Sequence, residues 1–261
     1  MQAQIHAPRT GYAYNLLDNS DFRNPVNQRG QTSYTGNQYT IDRWRTYSVG
    51  ATVSVANGYV GINDALMQYV LGIDTAKIYT AAVARPDGSL SVTSGIFGAG
   101  FGNVSIGIRC GVTSDLARFL IEGTVFPQIA WAALYEGAYT ADTLPPYQPK
   151  GYAVELAECQ RYYQVLPETS SCIFSISPQS GRYFSNSFAL NPMRASPNVT
   201  FVTDDNGNIG IVQGVSLVSA SEINIVYNDR VKNGILLLST TNAAYAGLVM
   251  SFNGIQFSAD L

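Results

Sequence analysis

"KIYTAAVARPDGSLSVTSGIF", Lys77 to Phe97, holds two runs of β-branched, aromatic and small residues around one interruption. Pro86-Asp87-Gly88 is a turn signal, because Pro presets its own φ and Gly accepts a positive one. The stretch therefore reads as strand, turn, strand. The same texture continues on both sides. Upstream, "VGATVSV" sets Val49, Ala51, Val53 and Val55 on one phase. Downstream, "NVSIGIRCGV" alternates Ile106, Ile108, Cys110 and Val112, and "RFLIEGTV" and "QIAWAALYEG" follow. Short strands repeating every ten residues or so predict an antiparallel β-sandwich, jelly-roll-like, over 15–145. Ahead of it, "YTIDRWRTY" (39–47) places Ile41 and Arg43 on one phase and Asp42 and Trp44 on the other. "NLLDNSDFRNPVNQRGQTSY" (15–34) is turn-rich, with enough apolar weight at Leu16, Leu17 and Phe22 to pack onto a sheet. Residues 1–14 read as a polar tail or linker.

The pattern breaks at "AYTADTLPPYQPKGY", where Pro145, Pro146, Pro149 and Gly151 make a stiff, extended connector. A short helix is predicted over about 152–165, in "ELAECQRYYQ". Leu156, Cys159 and Tyr163 share a stripe, and Glu155, Glu158 and Arg161 lie off it. So short a helix needs a sheet to dock on. Connector and helix, 146–165, form a structural joint at Leu156, Cys159, Arg161, Tyr162 and Tyr163. Strand texture then resumes, with a hairpin signal at Asp205-Asn206-Gly207. The reading is a second, smaller all-β domain over 166–261.

Composition limits the functions open to this chain. Charged residues are 13% and Lys numbers only three, while Tyr (17) and Gly (24) abound. Such a surface binds by stacking and hydrogen bonding rather than by charge. With a net charge of −3 and no Lys/Arg cluster, the footprint of a nucleic-acid binder is missing. No apolar run has the length of a membrane span. "MQAQIHAPRTGYAYN" has no apolar core of a signal peptide, so synthesis in the cytoplasm is expected. Cys110, Cys159 and Cys172 are odd in number and lack a CxxC pattern, and read as reduced, buried thiols.

The catalytic inventory is thin. One His, His6, lies in the tail, which argues against Ser-His-Asp or Cys-His catalysis and His-based zinc. No cofactor and no metal are expected. A glycosidase needs only two facing carboxylates, and Asp42, Asp64, Glu122, Glu136, Glu155, Glu158, Asp204 and Glu222 are available. "TDDNGN" spaces Asp204, Asn206 and Asn208 as in the first half of a calcium loop, yet lacks the rest of one; a hairpin turn accounts for it equally. Trp44 and Trp131 read either as packed aromatics or as platforms for sugar rings. Arg194 in "NPMRASP" is placed to anchor a turn. Ligand contact is expected from two C-terminal loops, "SPQSGRYFSNS" (177–187) and "YNDRVKNG" (227–234). The residues singled out are Arg182, Tyr183, Phe184, Asn186, Tyr227, Asn228 and Arg230, which mix stacking with adaptable hydrogen bonds.

Four blocks carry a resemblance: "NLLDNSDFRNPVNQRG", "YTIDRW", "WAALYEGAYTADTLPPYQPKGYAVELAECQRYYQ" and "NPMRASPNVT". Together, over 15 to about 200, they resemble tail-fibre-like receptor-binding proteins of phages and prophages of Gram-positive, often gut, bacteria. The resemblance implies a non-catalytic adhesion tip on the virion and a first domain similar to a carbohydrate-binding sandwich. It also implies a homotrimer that joins other phage tail proteins and meets a bacterial surface polysaccharide or other cell-wall glycan. Two other functions stay open: a structural tail or baseplate component, and a carboxylate-dependent polysaccharide depolymerase.

Overall fold

A computed structural model of the chain describes residues 13–167, 173–175, 183–187, 191–212, 216–219, 223–225, 235–240 and 249–259. The chain divides into two compact units, 1–152 and 153–261. Both are built from antiparallel ladders, as the sequence predicts.

The first unit opens with β1 (Ser33–Thr35), β2 (Arg45–Thr46), β3 (Thr52–Ala56), β4 (Tyr59–Ile62), β5 (Ala65–Val70) and β6 (Ile78–Ala84). It continues with β7 (Leu90–Ile96), β8 (Phe101–Asn103), β9 (Ile108–Thr113), β10 (Leu116–Glu122), β11 (Gln128–Ile129) and β12 (Trp131–Glu136). Three sheets result, in the orders β1-β3-β4-β11, β2-β5-β10-β9-β8 and β12-β6-β7. The expected turn joins β6 to β7: Gly88 donates to the Arg85 carbonyl at 3.0 Å with φ +85°, and the register runs from Ile78↔Ile96 to Ala84↔Leu90. Val53, Val60, Ile62, Leu66, Ile108, Phe119, Ile121, Ile129 and Leu134 point into one core around Trp44 and Phe22. That alternation gives the unit its sandwich-like character.

Two expectations for this unit change. Val49, expected inward with Val53, is exposed. "YTIDRWRTY" does not alternate: it doubles back in a turn where Thr40 donates to the Trp44 carbonyl, and Ile41, Asp42, Arg43 and Trp44 are all buried. Arg43 sits at φ +71°, a conformation held by its side-chain bonds to other segments.

The irregular lead-in has a defined job. β12 is the edge of its sheet, and an open edge is a template for unwanted pairing. Residues 15–21 cover it: Leu16 donates to Leu134, Ala132 donates to Ser20, and the Asn15 side chain bonds both Leu134 and Ala132. The Pro-rich stretch also packs on this unit. Tyr147 stacks on Trp131 with centroids 4.5 Å apart and planes 8° apart, and its hydroxyl lies 3.3 Å from the Ser20 hydroxyl.

The helix α1 covers Tyr152–Cys159 only, so the predicted helix is too long by about half. Gln160 completes the last helical turn, then Arg161 and Tyr162 close tighter bonds to Glu158 and Cys159. Tyr163, expected on the helix stripe, opens β13 (Tyr163–Pro167), paired with Ser258. Aromatic and β-branched residues in "YYQVL" favour a strand once a partner is present, and pairing overrides the helical stripe. Glu155, expected to face water, is buried.

The second unit continues with β14 (Ile173–Ser175), β15 (Tyr183–Ser187), β16 (Asn198–Phe201), β17 (Asn208–Val212) and β18 (Ser216–Ser219). β19 (Ile223–Ile225), β20 (Ile235–Thr240), β21 (Val249–Phe252) and β22 (Gly254–Ser258) complete it. The sheets are β13-β22-β16, β14-β21-β17-β18 and β15-β20-β19. The Asp205-Asn206-Gly207 turn forms, with Gly207 donating to Asp204 at 3.0 Å and Asp204 to Asn208 at 2.8 Å. It does not make a hairpin ladder. β16 joins β22, whereas β17 joins β21 and β18. The chain changes sheets there, and again at Asn253-Gly254 between β21 and β22.

Candidate functional site

The quoted motif blocks meet one another. In the first unit Asn19, 1% exposed at φ +50°, donates to the carbonyls of Val26 and Asp42 and accepts from the Val26 amide. Asp42 accepts from the Gln28 amide at 3.1 Å and from Arg29 Nη1 at 2.9 Å. Arg43 donates from Nε to Asp18 at 2.9 Å and from Nη2 to the Tyr69 carbonyl. Gln68 and Asp18 exchange side-chain and backbone bonds, and the Trp44 indole donates to the Asn19 carbonyl at 2.8 Å. In the second unit the Gln164 side chain bonds both backbone groups of Asn191, and Arg194 reaches the Ala259 carbonyl at 3.0 Å. Arg194 also lies over the Tyr162 ring, and its amide donates to the Arg161 carbonyl. Buried polar groups must be paired to be tolerated, so these residues hold the frame.

The joint residues take structural places. Cys159, Tyr162 and Tyr163 are buried, and Leu156 is half-buried. Of the expected ligand residues, Tyr183, Phe184 and Asn186 lie on β15, in register with Ser239, Leu238 and Leu236. They form a strand rather than a loop, as the aromatic pair favours. Arg182, Tyr227, Asn228 and Arg230 lie outside the described residues.

Neither Trp presents an open platform. Trp44 is fully buried between Phe22 and Phe119. Trp131, expected in the core, is half-buried, and its stacking face is filled by Tyr147. The carboxylates considered for catalysis are engaged. Glu122 pairs with Arg109, Glu136 with Lys77 at 2.7 Å, and Asp64 with the Ser48 hydroxyl. Glu222 lies outside the described residues. Asp204 accepts from the Asn206 and Asn208 amides and from the Asn208 side chain, which holds its carboxyl below the ordinary value. Donors crowd that carboxylate where a cation would have to sit, so the stretch behaves as a turn.

A different surface stands out on the sheet β1-β3-β4-β11. Val53, Val60, Ile62 and Ile129 fill its inner face. Its outer face carries Thr52 and Ser54 from β3, Tyr59 and Gly61 from β4, and Gln128 from β11, with Asn63 just past β4. Ser54, Gly61 and Gln128 form one row across three strands, since Ser54 pairs with Gly61 and Gly61 with Gln128. Gly61 contributes no side chain to that row. The result is a groove of about 260 Å³ lined by Thr52, Ser54, Tyr59, Gly61, Ile62, Asn63, Pro127 and Gln128. Gly61 is buried: a Cβ there would lie 2.5 Å from Ser54 Oγ, which covers the glycine. Asn63 holds the entry rigid: its Oδ1 accepts from the Thr52 amide at 2.6 Å and its Nδ2 donates to Gly50.

No residue of these four strands carries a charge. Among the described residues no protein group bonds the side-chain polar atoms of Thr52, Ser54, Tyr59 or Gln128. Sequence reasoning missed this site, although "TVSVANGYVGIN" held the signal. Its inward positions are apolar and its outward ones polar but uncharged, around an Asn57-Gly58 turn.

No family model, curated protein or solved structure matches the chain.

Proposed function

We propose that the chain is a non-catalytic attachment protein that recognises a bacterial cell-surface glycan as part of a phage tail. The observation that carries this reading is the groove on the outer face of β1-β3-β4-β11. The hydroxyls of Thr52, Ser54 and Tyr59 and the Gln128 amide, unpaired among the described residues, line it. Hydroxyls both donate and accept, and so match the hydroxyls of a sugar. The resemblance of the motif blocks to tail-fibre-like receptor-binding proteins supports the same reading. It also brings the expectation of a homotrimer, in which weak single sites add through avidity. Glu122, Glu136, Asp64 and Asp42 are committed to Arg109, Lys77, Ser48 and Arg29 respectively, which fits binding better than glycoside hydrolysis at those residues.

The test is flow-cytometric binding of the labelled chain to a panel of Gram-positive gut bacteria, intact and periodate-oxidised. Strain-selective binding that oxidation abolishes is the expected result. Binding that survives oxidation overturns the glycan, and co-purification with tail proteins without any cell binding points to a structural component.

A further inference from the structure

We propose that the outer face of β1-β3-β4-β11 takes an uncharged polysaccharide, laid across the strands over Thr52, Ser54, Tyr59 and Gln128. The inference rests on the attachment reading and narrows it to a site and a ligand class.

The ligand class follows from charge. A phosphate- or carboxylate-bearing polymer loses hydration on docking and needs Lys or Arg to replace it. The four strands offer none, and the lining residues are Thr, Ser, Tyr, Asn, Gln, Gly, Ile and Pro. A neutral polymer needs what is present. Thr52, Ser54 and Tyr59 bring hydroxyls, and Gln128 brings an amide with two donors and an acceptor.

The contact row follows from register. Strands lie about 4.8 Å apart, so Ser54 and Gln128 stand about 10 Å apart in one row. Gly61 between them is buried, with Ser54 Oγ over it, so the row meets a sugar with a hydroxyl and an amide rather than with an open notch. Tyr59 lies two residues from Gly61 on the same face, where its ring can meet the C–H side of a sugar. The volume, about 260 Å³, falls just under the common range for small-molecule pockets. It suits one or two units of a longer chain. The site is pre-organised, since the reverse face is core and Asn63 pins Thr52.

Ser54→Ala, Tyr59→Ala and Gln128→Ala test the inference in the full chain. Ser54 and Gln128 are exposed and Tyr59 is half-buried on the outer face, so truncating them leaves the core behind the sheet in place. Unchanged melting followed by Trp fluorescence confirms that each variant folds. The probes are wall polysaccharides from a strain that the chain binds, split on anion exchange into an unretained neutral fraction and a retained, phosphate-bearing one. Affinity electrophoresis is expected to show retardation by the neutral fraction alone, weakened tenfold or more in Tyr59→Ala and Gln128→Ala. Retardation by the retained fraction only overturns the ligand class. Retardation, or periodate-sensitive cell binding, that is unchanged in the folded variants overturns the site while the attachment reading stands. Failure of the unmodified chain to bind any strain overturns both.

Discussion

Asn19→Ala is expected to remove about 3 kcal/mol from the stability of the first unit. Two backbone groups rely on this side chain, the amide of Val26 and the carbonyl of Asp42, whereas the Val26 carbonyl also accepts from the Asp42 amide at 3.2 Å. Val26 is fully buried and Asp42 is 1% exposed, so water does not readily replace the lost partner. Stranding a buried polar group costs about 1–3 kcal/mol, and two at the lower end give about 2 kcal/mol. Asn19 also stands at φ +50°, where alanine adds about 1 kcal/mol of strain. Asn19→Gly removes the strain and keeps the two orphans, so it should lose about 2 kcal/mol. A domain has roughly 5–15 kcal/mol in hand, so both variants should fold with sharply lowered urea midpoints. The assay is Trp fluorescence, because Trp44 and Trp131 both lie in the first unit and the Trp44 indole donates to Asn19 itself. A loss under about 1 kcal/mol for alanine refutes the network argument. Full recovery with glycine refutes it too, because strain alone would then account for the residue.

Ser114 and Asp115 close the β9–β10 hairpin with both residues at positive φ, +49° and +66°. Replacing them with Asn-Gly should raise stability by about 1 kcal/mol, read as a higher urea midpoint. Tyr147→Ala removes the stack on Trp131 and should cost about 1 kcal/mol. It should also open the bonds between residues 140 and 150 to limited proteolysis, and unchanged resistance there would count against the packed connector. Burial pushes the Cys110 thiol well above its ordinary value, so iodoacetamide at pH 8 should leave its peptide unmodified until guanidinium unfolds the chain. The Asp87 and Asp204 carboxyls are held low by hydrogen bonds from Ser89 and Asn208 respectively. Their folded values lie below the unfolded ones, so their contribution is complete above about pH 3.9 and is lost as pH falls through the lower folded values. Carboxyl NMR titration should find both midpoints under that of a free Asp.

What could be read from the sequence was what depends on neighbours two residues away. Alternation placed β6, β7, β9 and β10, and Pro86-Asp87-Gly88 placed a turn. Features set by distant partners were not legible. Tyr163 leaves the helical stripe because β22 supplies a ladder. "IDRW" folds into a buried turn because Asp18 and Tyr69 satisfy Arg43. The Asp204 turn looks like a hairpin until β21 and β22 take one flank each. Attention to charged and aromatic residues in loops drew the site reading towards 177–187 and 227–234. The groove instead depends on small uncharged side chains, with Ser54 and Gln128 brought into one row across Gly61 by the register.

That placement separates recognition from stability. In the lead-in network each side chain supports several buried groups, so a change at Asn19, Asp42 or Arg43 disturbs the frame. On the outer face of β3 and β4 the opposite holds. Strand alternation puts the energy of the sheet into Val53, Val60 and Ile62 and leaves the side-chain hydroxyls of Thr52, Ser54 and Tyr59 without a partner among the described residues. Substitutions there cost little folding energy, since surface changes away from caps, cores and networks usually move stability by about 0.5 kcal/mol or less. On the attachment reading proposed above, a sheet built this way changes the sugar it takes by exchanging outward side chains while its core face stays the same.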